Sequence, residues 1–266
     1  MAIAAPDFHA DSSLVAEIKP SPNHGERKND ATIDMLVLHY TGMQDATAAI
    51  KHLCQPGTDV SAHYVVLEDG QIVQCVAEAR RAWHAGQAFW NGETDINSCS
   101  IGIEMVNPGH DYDYPDFPRR QIAAVTALCR SILTRHRIRG DRIVGHSDVS
   151  PTRKRDPGEK FPWRILHRSG IGHWVEPAPL TPGDRVYVLG ESSPAVSEAQ
   201  ALLARYGYAV GNSNYVDGAT RDALAAFQRH FRPQRVDGAL DSSTLKTLKD
   251  LLAAREGADG AAAVAG

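Results

Sequence analysis

Two short, nearly continuous apolar runs constrain this chain most: DMLVLHY at 34–40 and CSIGIEMV at 99–106. A strand with one wet face alternates apolar and polar residues, whereas a strand covered on both faces is apolar almost throughout. Both runs therefore read as buried strands, with RIVGH at 142–146 as a shorter third. Strands covered on both faces need helices to cover them, and the chain supplies candidates. From Asp116 onward, Ile122, Val125, Leu128, Ile132 and Leu133 recur at helical spacing, which predicts a helix over 118–136. Asp45 can cap a short helix, ATAAIKHLC, that carries Ala46, Ile50 and Leu53 on one face. HYVVLEDGQIVQCV at 63–76 places two β-type runs around Glu68-Asp69-Gly70, a hairpin pattern. The sum is an α/β fold, a central mixed β-sheet flanked by helices.

The pattern changes after Trp163. GIGHWVEPAPLTPGDR at 170–185 carries three prolines and reads as a connection, placed at 171–184. Three helical patterns follow, at about 195–206, 219–231 and 242–253, the last capped by Asp241. They predict a small three-helix all-α domain over 185–253. Val216-Asp217-Gly218 and Val236-Asp237-Gly238 mark tight turns 20 residues apart. The Ala/Gly-rich stretch 254–266 is expected to form a flexible tail, and polar residues 1–30 an arm or loop. Cys54, Cys75, Cys99 and Cys129 lack CxxC spacing and read as reduced thiols.

Composition narrows the partners. A net charge of −4 offers no case for nucleic-acid binding. No run of about 18 apolar residues is present, so no membrane span is expected. The first cation is Lys19, and Asp7 and Asp11 interrupt any N-terminal apolar run, so no secretory signal is read. A cytoplasmic monomer is the expectation, with the periplasm or cell envelope as the alternative compartment.

Five residues stand out chemically. His39 and His146 each end a strand-like run, and Asp156 follows in the loop SDVSPTRKRDPG. Imidazole and carboxylate suit a borderline-soft cation such as zinc, and three protein ligands leave a fourth position for water. A lone histidine at a strand end is more often structural, and no compact HExxH pattern is present to establish a metal by spacing. Glu104 lies inside the apolar run IGIEMV, where a carboxylate must be paired or functional. It reads either as one half of a buried salt bridge or as a general base. Lys154, within Arg153-Lys154-Arg155, reads either as part of a solvated charge run or as a cation aimed at a developing oxyanion.

Taken together, SPNHGERK (21–28), LVLHYTGM (36–43), VSAHYVVLEDGQIVQCV (60–76), AWHAG (82–86), NSCSIGIEMVNPG (97–109) and GHSDVSPTRKRDPGEKFPW (145–163) resemble the zinc N-acetylmuramoyl-L-alanine amidases of the type-2 amidase family. That family is related to the animal peptidoglycan recognition proteins. The C-terminal region resembles the three-helix peptidoglycan-binding domain. The resemblance implies a zinc amidase catalytic domain over 1–170. It makes His39, His146 and Asp156 the zinc ligands, Glu104 the catalytic carboxylate and Lys154 the oxyanion cation. Trp83, His84 and Asn107 resemble substrate-groove positions, Phe161 and Trp163 read as groove or core, and His63 as structural. The implied substrate is peptidoglycan or a muropeptide, cut between the muramoyl lactyl group and L-alanine. Non-catalytic peptidoglycan recognition and zinc peptidase action on another stem-peptide amide are the alternatives. The helical domain is expected to tether the enzyme to polymer, so that deleting 184–266 would hurt action on sacculi more than on soluble muropeptides.

Overall fold

The computed structural model describes residues 8–264, with side chains over 8–257. The first seven residues of the expected arm and the last two of the expected tail lie outside that description. In chain order the elements are β1 (Glu17–Ile18), β2 (His24–Glu26), β3 (Met35–Tyr40), α1 (Ala46–Cys54), β4 (Tyr64–Val66), β5 (Ile72–Gln74), β6 (Arg80–Ala82), α2 (Ile96–Cys99), β7 (Ser100–Met105), α3 (Arg119–Arg135), β8 (Ile143–Gly145), α4 (His146–Val149), α5 (Trp163–Arg168), α6 (Pro194–Tyr206), α7 (Gly218–Phe231) and α8 (Ser242–Val264).

The fold is mixed α/β with a central sheet between helices, as the apolar runs predict. Six strands lie in the order β1-β5-β4-β7-β3-β8. The two apolar runs, β3 and β7, are interior neighbours running parallel. Leu36, Leu38, Ile101 and Ile103 are fully buried there, each contributing roughly 1.5–3 kcal/mol of hydrophobic stabilisation. The hairpin forms as β4 antiparallel to β5. α1 is capped by the Asp45 carboxylate, which accepts from Ala48 N at 2.7 Å. α3 buries Ile122, Val125, Leu128 and Ile132, and Gln121 at its start donates to the carbonyls of Val66 and Val106. All four cysteines are free thiols.

The polar N-terminal stretch is more than an arm or loop. β1 adds to the sheet edge beside β5, and β2 pairs with β6 in a second small sheet. Its anchors are distant in sequence: the Arg27 guanidinium donates to the carbonyls of Glu78, Ser98 and Ser100. No local periodicity announces such contacts.

The C-terminal helices begin on side-chain caps. Ser193 accepts from Val196 N, Asp217 from Thr220 N and Asp241 from Thr244 N. The last helix continues to Val264, past its expected end at 253, so most of the expected flexible tail is helical. Alanine has the highest helix propensity, and Arg255 fixes the extension by donating to the carbonyls of Arg205 and Tyr206.

The helical region shares its core with the sheet region. Trp90, 1% exposed, meets Tyr206 and Tyr208 edge-on at 5.9 and 4.9 Å. The chain passes over Trp90 at Gly207, whose φ is +145° and where a Cβ would come within 2.8 Å of the indole. The expected connection starts in this core, with Ile171 and Trp174 buried. Among the described residues, no helix is long and apolar enough to cross a membrane.

Candidate active site and metal centre

Parallel pairing places His39 of β3 directly beside Glu104 of β7. Paired residues of neighbouring strands point to the same face, so the register alone brings these two side chains together. β8, on the other flank of β3, runs straight into α4, whose first residue is His146. The following loop returns Asp156 to the same spot, held by Ser147 N donating to the Asp156 carbonyl at 2.8 Å.

The result is a buried triangle. His39 Nδ1, His146 Nδ1 and Asp156 Oδ2 are each 3.0 Å from the other two. Ligands about 2.0–2.1 Å from a tetrahedral zinc lie roughly 3.3 Å apart, so the spacing fits. The tautomers fit as well. His146 Nε2 faces the Ala85 carbonyl at 3.0 Å and must donate to it, which leaves the lone pair of the neutral ring on Nδ1. His39 Nε2 faces His84 Nδ1 at 3.1 Å, His84 Nε2 faces Ser100 Oγ at 3.1 Å, and the Ser100 hydroxyl donates to the Ile96 carbonyl at 2.5 Å. Read back from that carbonyl, each link donates towards Ser100, so His39 also turns a lone pair inward. Such hydrogen-bonded support is typical of metal-bound histidines.

The electrostatics agree. Burial, aided by the neighbouring His146, lowers the His39 imidazole to about 4 and keeps it neutral. Burial alone would raise the Asp156 carboxyl, but His146 and His39 beside it hold it well below the usual carboxylate range. Two imidazoles and one carboxylate form a donor set for a divalent cation.

Glu104 is the second unusual group. It lines the cavity in front of the triangle. Its Oε2 is closed off from solvent and has no hydrogen-bond partner. Burial and the negative charge of Asp156 push its carboxyl well above the ordinary glutamate value, opposed by Lys154. The buried salt-bridge reading is therefore not what the structure holds. The loop carrying Lys154 is pinned by its neighbours: the Arg153 guanidinium donates to the carbonyls of Ala85 and Gln87, and Arg155 pairs with Asp111. The Lys154 ammonium has no hydrogen bond or ion pair among the described residues, and the half-buried side chain lines the same cavity.

The remaining sequence candidates separate. Trp83 lines the cavity. His84 touches it too, but both ring nitrogens are engaged by His39 and Ser100. Asn107 is buried under the following loop, its amide bonded to the Pro115 carbonyl and to Gly109 N. Phe161 and Trp163 pack in the core, 4.8 Å apart. His63 is buried between Gly102 N and the Arg80 carbonyl, and burial together with the Arg27 charge lowers its pKa to about 3. Sequence reading missed Ser100 and the Ala85 carbonyl as supports. The one signal was Gly102: a Cβ there would lie 2.5 Å from the His84 ring, so a glycine inside a buried strand marks the place where that imidazole packs.

His84→Ala is expected to weaken metal binding at this triangle, probed with zinc, about 10–100-fold. His84→Asn, whose side-chain oxygen can still accept from His39, should recover part of the loss. Competition with a chromophoric chelator measures both. Equal zinc affinity in His84→Ala and the parent would rule out a supporting role for His84.

A cation site open to a groove, with a carboxyl of raised pKa and a free ammonium on its walls, is the construction of a metal hydrolase. Comparison with known proteins makes the class specific. A family model described as N-acetylmuramoyl-L-alanine amidase matches residues 29–159, and one described as a peptidoglycan binding domain matches 192–248. The N-acetylmuramoyl-L-alanine amidase AmiD of Escherichia coli is 35% identical over 242 residues, covering 83% of this chain and 82% of that protein. The 1,6-anhydro-N-acetylmuramyl-L-alanine amidase AmpD of Enterobacter cloacae is 34% identical over 170 residues, 56% of this chain and 86% of that protein. The structure of Escherichia coli AmiD in complex with anhydro-N-acetylmuramic acid-L-Ala-D-gamma-Glu-L-Lys superposes with a TM-score of 0.72 at 33% identity, covering 85% of this chain and 92% of that one. The chain belongs to the N-acetylmuramoyl-L-alanine amidase family.

Proposed function

We propose that this protein is a zinc-dependent amidase that hydrolyses the bond between the muramoyl or anhydro-muramoyl lactyl group and L-alanine of peptidoglycan stem peptides, in wall turnover or recycling. The observation that carries this reading is the His39, His146 and Asp156 triangle with Glu104 in register beside it. The substrate side rests on the relatives, one named for the anhydro-sugar amide and one bound to an anhydro-muramoyl tripeptide.

His39 Nδ1, His146 Nδ1 and Asp156 Oδ2 would hold the metal. When bound, zinc supplies Lewis acidity, lowering the pKa of water from 15.7 to about 7 and polarising the carbonyl. Glu104 takes the proton of the attacking water. Its raised pKa suits it to keep that proton until the alanine amine leaves, and then to deliver it. The Lys154 ammonium, free of other partners, faces the charge that develops on the carbonyl oxygen. Trp83 is a groove wall for the substrate. The helical domain holds the enzyme on polymer, raising the local substrate concentration. Because its core is shared with the sheet region, tethering is better tested by surface substitutions in the full chain than by deletion.

The test incubates purified protein with a defined muropeptide, with and without a zinc chelator, and identifies products by mass spectrometry. Release of an intact stem peptide starting at L-alanine, abolished by chelation and restored by zinc, is the expected result. No cleavage by protein with stoichiometric zinc would move the assignment to a binding protein or another amide.

A further inference from the structure

Asp148 lies two residues beyond the metal-site histidine His146, and its side chain is completely buried. Three donors converge on its carboxylate. Gly145 N, from the residue preceding His146, donates to Oδ2 at 2.7 Å. The other two come from the region that matches a peptidoglycan binding domain. The Tyr208 hydroxyl donates to Oδ1 at 2.6 Å, and His230 Nδ1 of α7 lies 2.7 Å from Oδ2, within hydrogen-bond distance. The His230 ring is itself fixed, stacked on Trp163 with ring centroids 3.7 Å apart.

A buried carboxylate without compensating donors is strongly unfavourable. Tyr208 and His230 supply two of the three donors that stabilise Asp148 in its place on α4. That same four-residue helix begins with His146, and its Ser147 N is tied to the segment carrying Asp156. We infer that the C-terminal helical domain is a working part of the metal centre: Tyr208 and His230 are positioning residues that, by clamping Asp148, hold His146 in register with His39 and Asp156. This goes beyond tethering, because it acts on substrates too small to engage the polymer-binding surface. It rests on the proposed metal role of His146.

The test uses the full-length chain with His230→Leu, Tyr208→Phe, His230→Asn and, as a control, Leu248→Ala. Leu248 is buried in the helical domain core and is not among the three donors to Asp148. Zinc affinity is measured by chelator competition, and kcat and KM on a soluble muropeptide. His230→Leu should raise the zinc Kd about 10–100-fold, the range for losing a support of a metal ligand, and lower kcat with little change in KM. Tyr208→Phe, which removes one hydroxyl and keeps the ring, should act in the same direction and serves if His230→Leu does not fold. In His230→Asn the side-chain amide sits where imidazole Nδ1 was, and zinc affinity should return towards the parent value. Leu248→Ala should lower thermal stability without changing zinc Kd. Unchanged zinc affinity in the folded clamp variants would overturn the inference. So would equal losses in His230→Leu, His230→Asn and Leu248→Ala. A parent protein that binds zinc without cleaving the muropeptide would overturn the amidase reading alone, since the zinc measurements still decide the clamp.

Discussion

Glu104→Gln is expected to cut turnover about 10²–10⁴-fold, the range for losing a general acid–base group, with zinc content unchanged. Glutamine keeps the size and shape of the side chain, so packing on β7 should survive. What it loses is the ability to take a proton and give it back. Among the described residues the Glu104 carboxyl makes no hydrogen bond or ion pair, and its Oε2 is shut off from solvent, so nothing but the groove competes for its proton. Its register beside His39 places it next to the metal site without making it a ligand. The acidic limb of the pH profile should vanish with the carboxyl, because a protonated Glu104 cannot take the proton of the attacking water. Steady-state kinetics and metal analysis on the same preparation make the check. A variant within tenfold of the parent would remove Glu104 from the mechanism.

Lys154→Ala should lower kcat about 10²–10³-fold, the usual effect of deleting one oxyanion donor, with a much smaller change in KM. The case rests on which of three adjacent cations is uncommitted. Arg153 is held by the Ala85 and Gln87 carbonyls, and Arg155 by Asp111. Of the three side chains, the Lys154 ammonium alone has no partner among the described residues, while its charge acts on both Glu104 and His39. A half-buried ammonium left unpaired beside a reaction groove stabilises charge that appears only during reaction, so its loss should fall on kcat. A rise in KM with kcat preserved would instead make Lys154 a ground-state binding residue.

Much of this was legible in the chain. Buried strands at 34–40 and 99–106, the hairpin at 63–76, the Asp45 cap and the three C-terminal helices all follow from local patterns. Such patterns report burial and period, both of which a short window of sequence contains. The distinctive segments around His39, Glu104 and His146 carried the family, and with it the expectation of a metal site and of the reaction proposed above.

Other features are long-range. β1 and β2 form because partners around Gln74 and Arg80 lie beside them, and nothing within 1–30 signals it. His84 reads as a groove residue from its motif, and only the packing of its ring over Gly102 reveals that it braces His39. Asp148 looks like an ordinary loop acid until Tyr208 and His230, 60 and 82 positions further on, close around it. The sequence by itself determined which residues are chemically competent and where the central strands and the longer helices lie, because composition and period are local properties. Tertiary structure alone decided which nitrogen of each histidine faces the metal site, which lysine is left free and which domain secures the ligands. Those depend on hydrogen-bond partners that only the folded chain brings together.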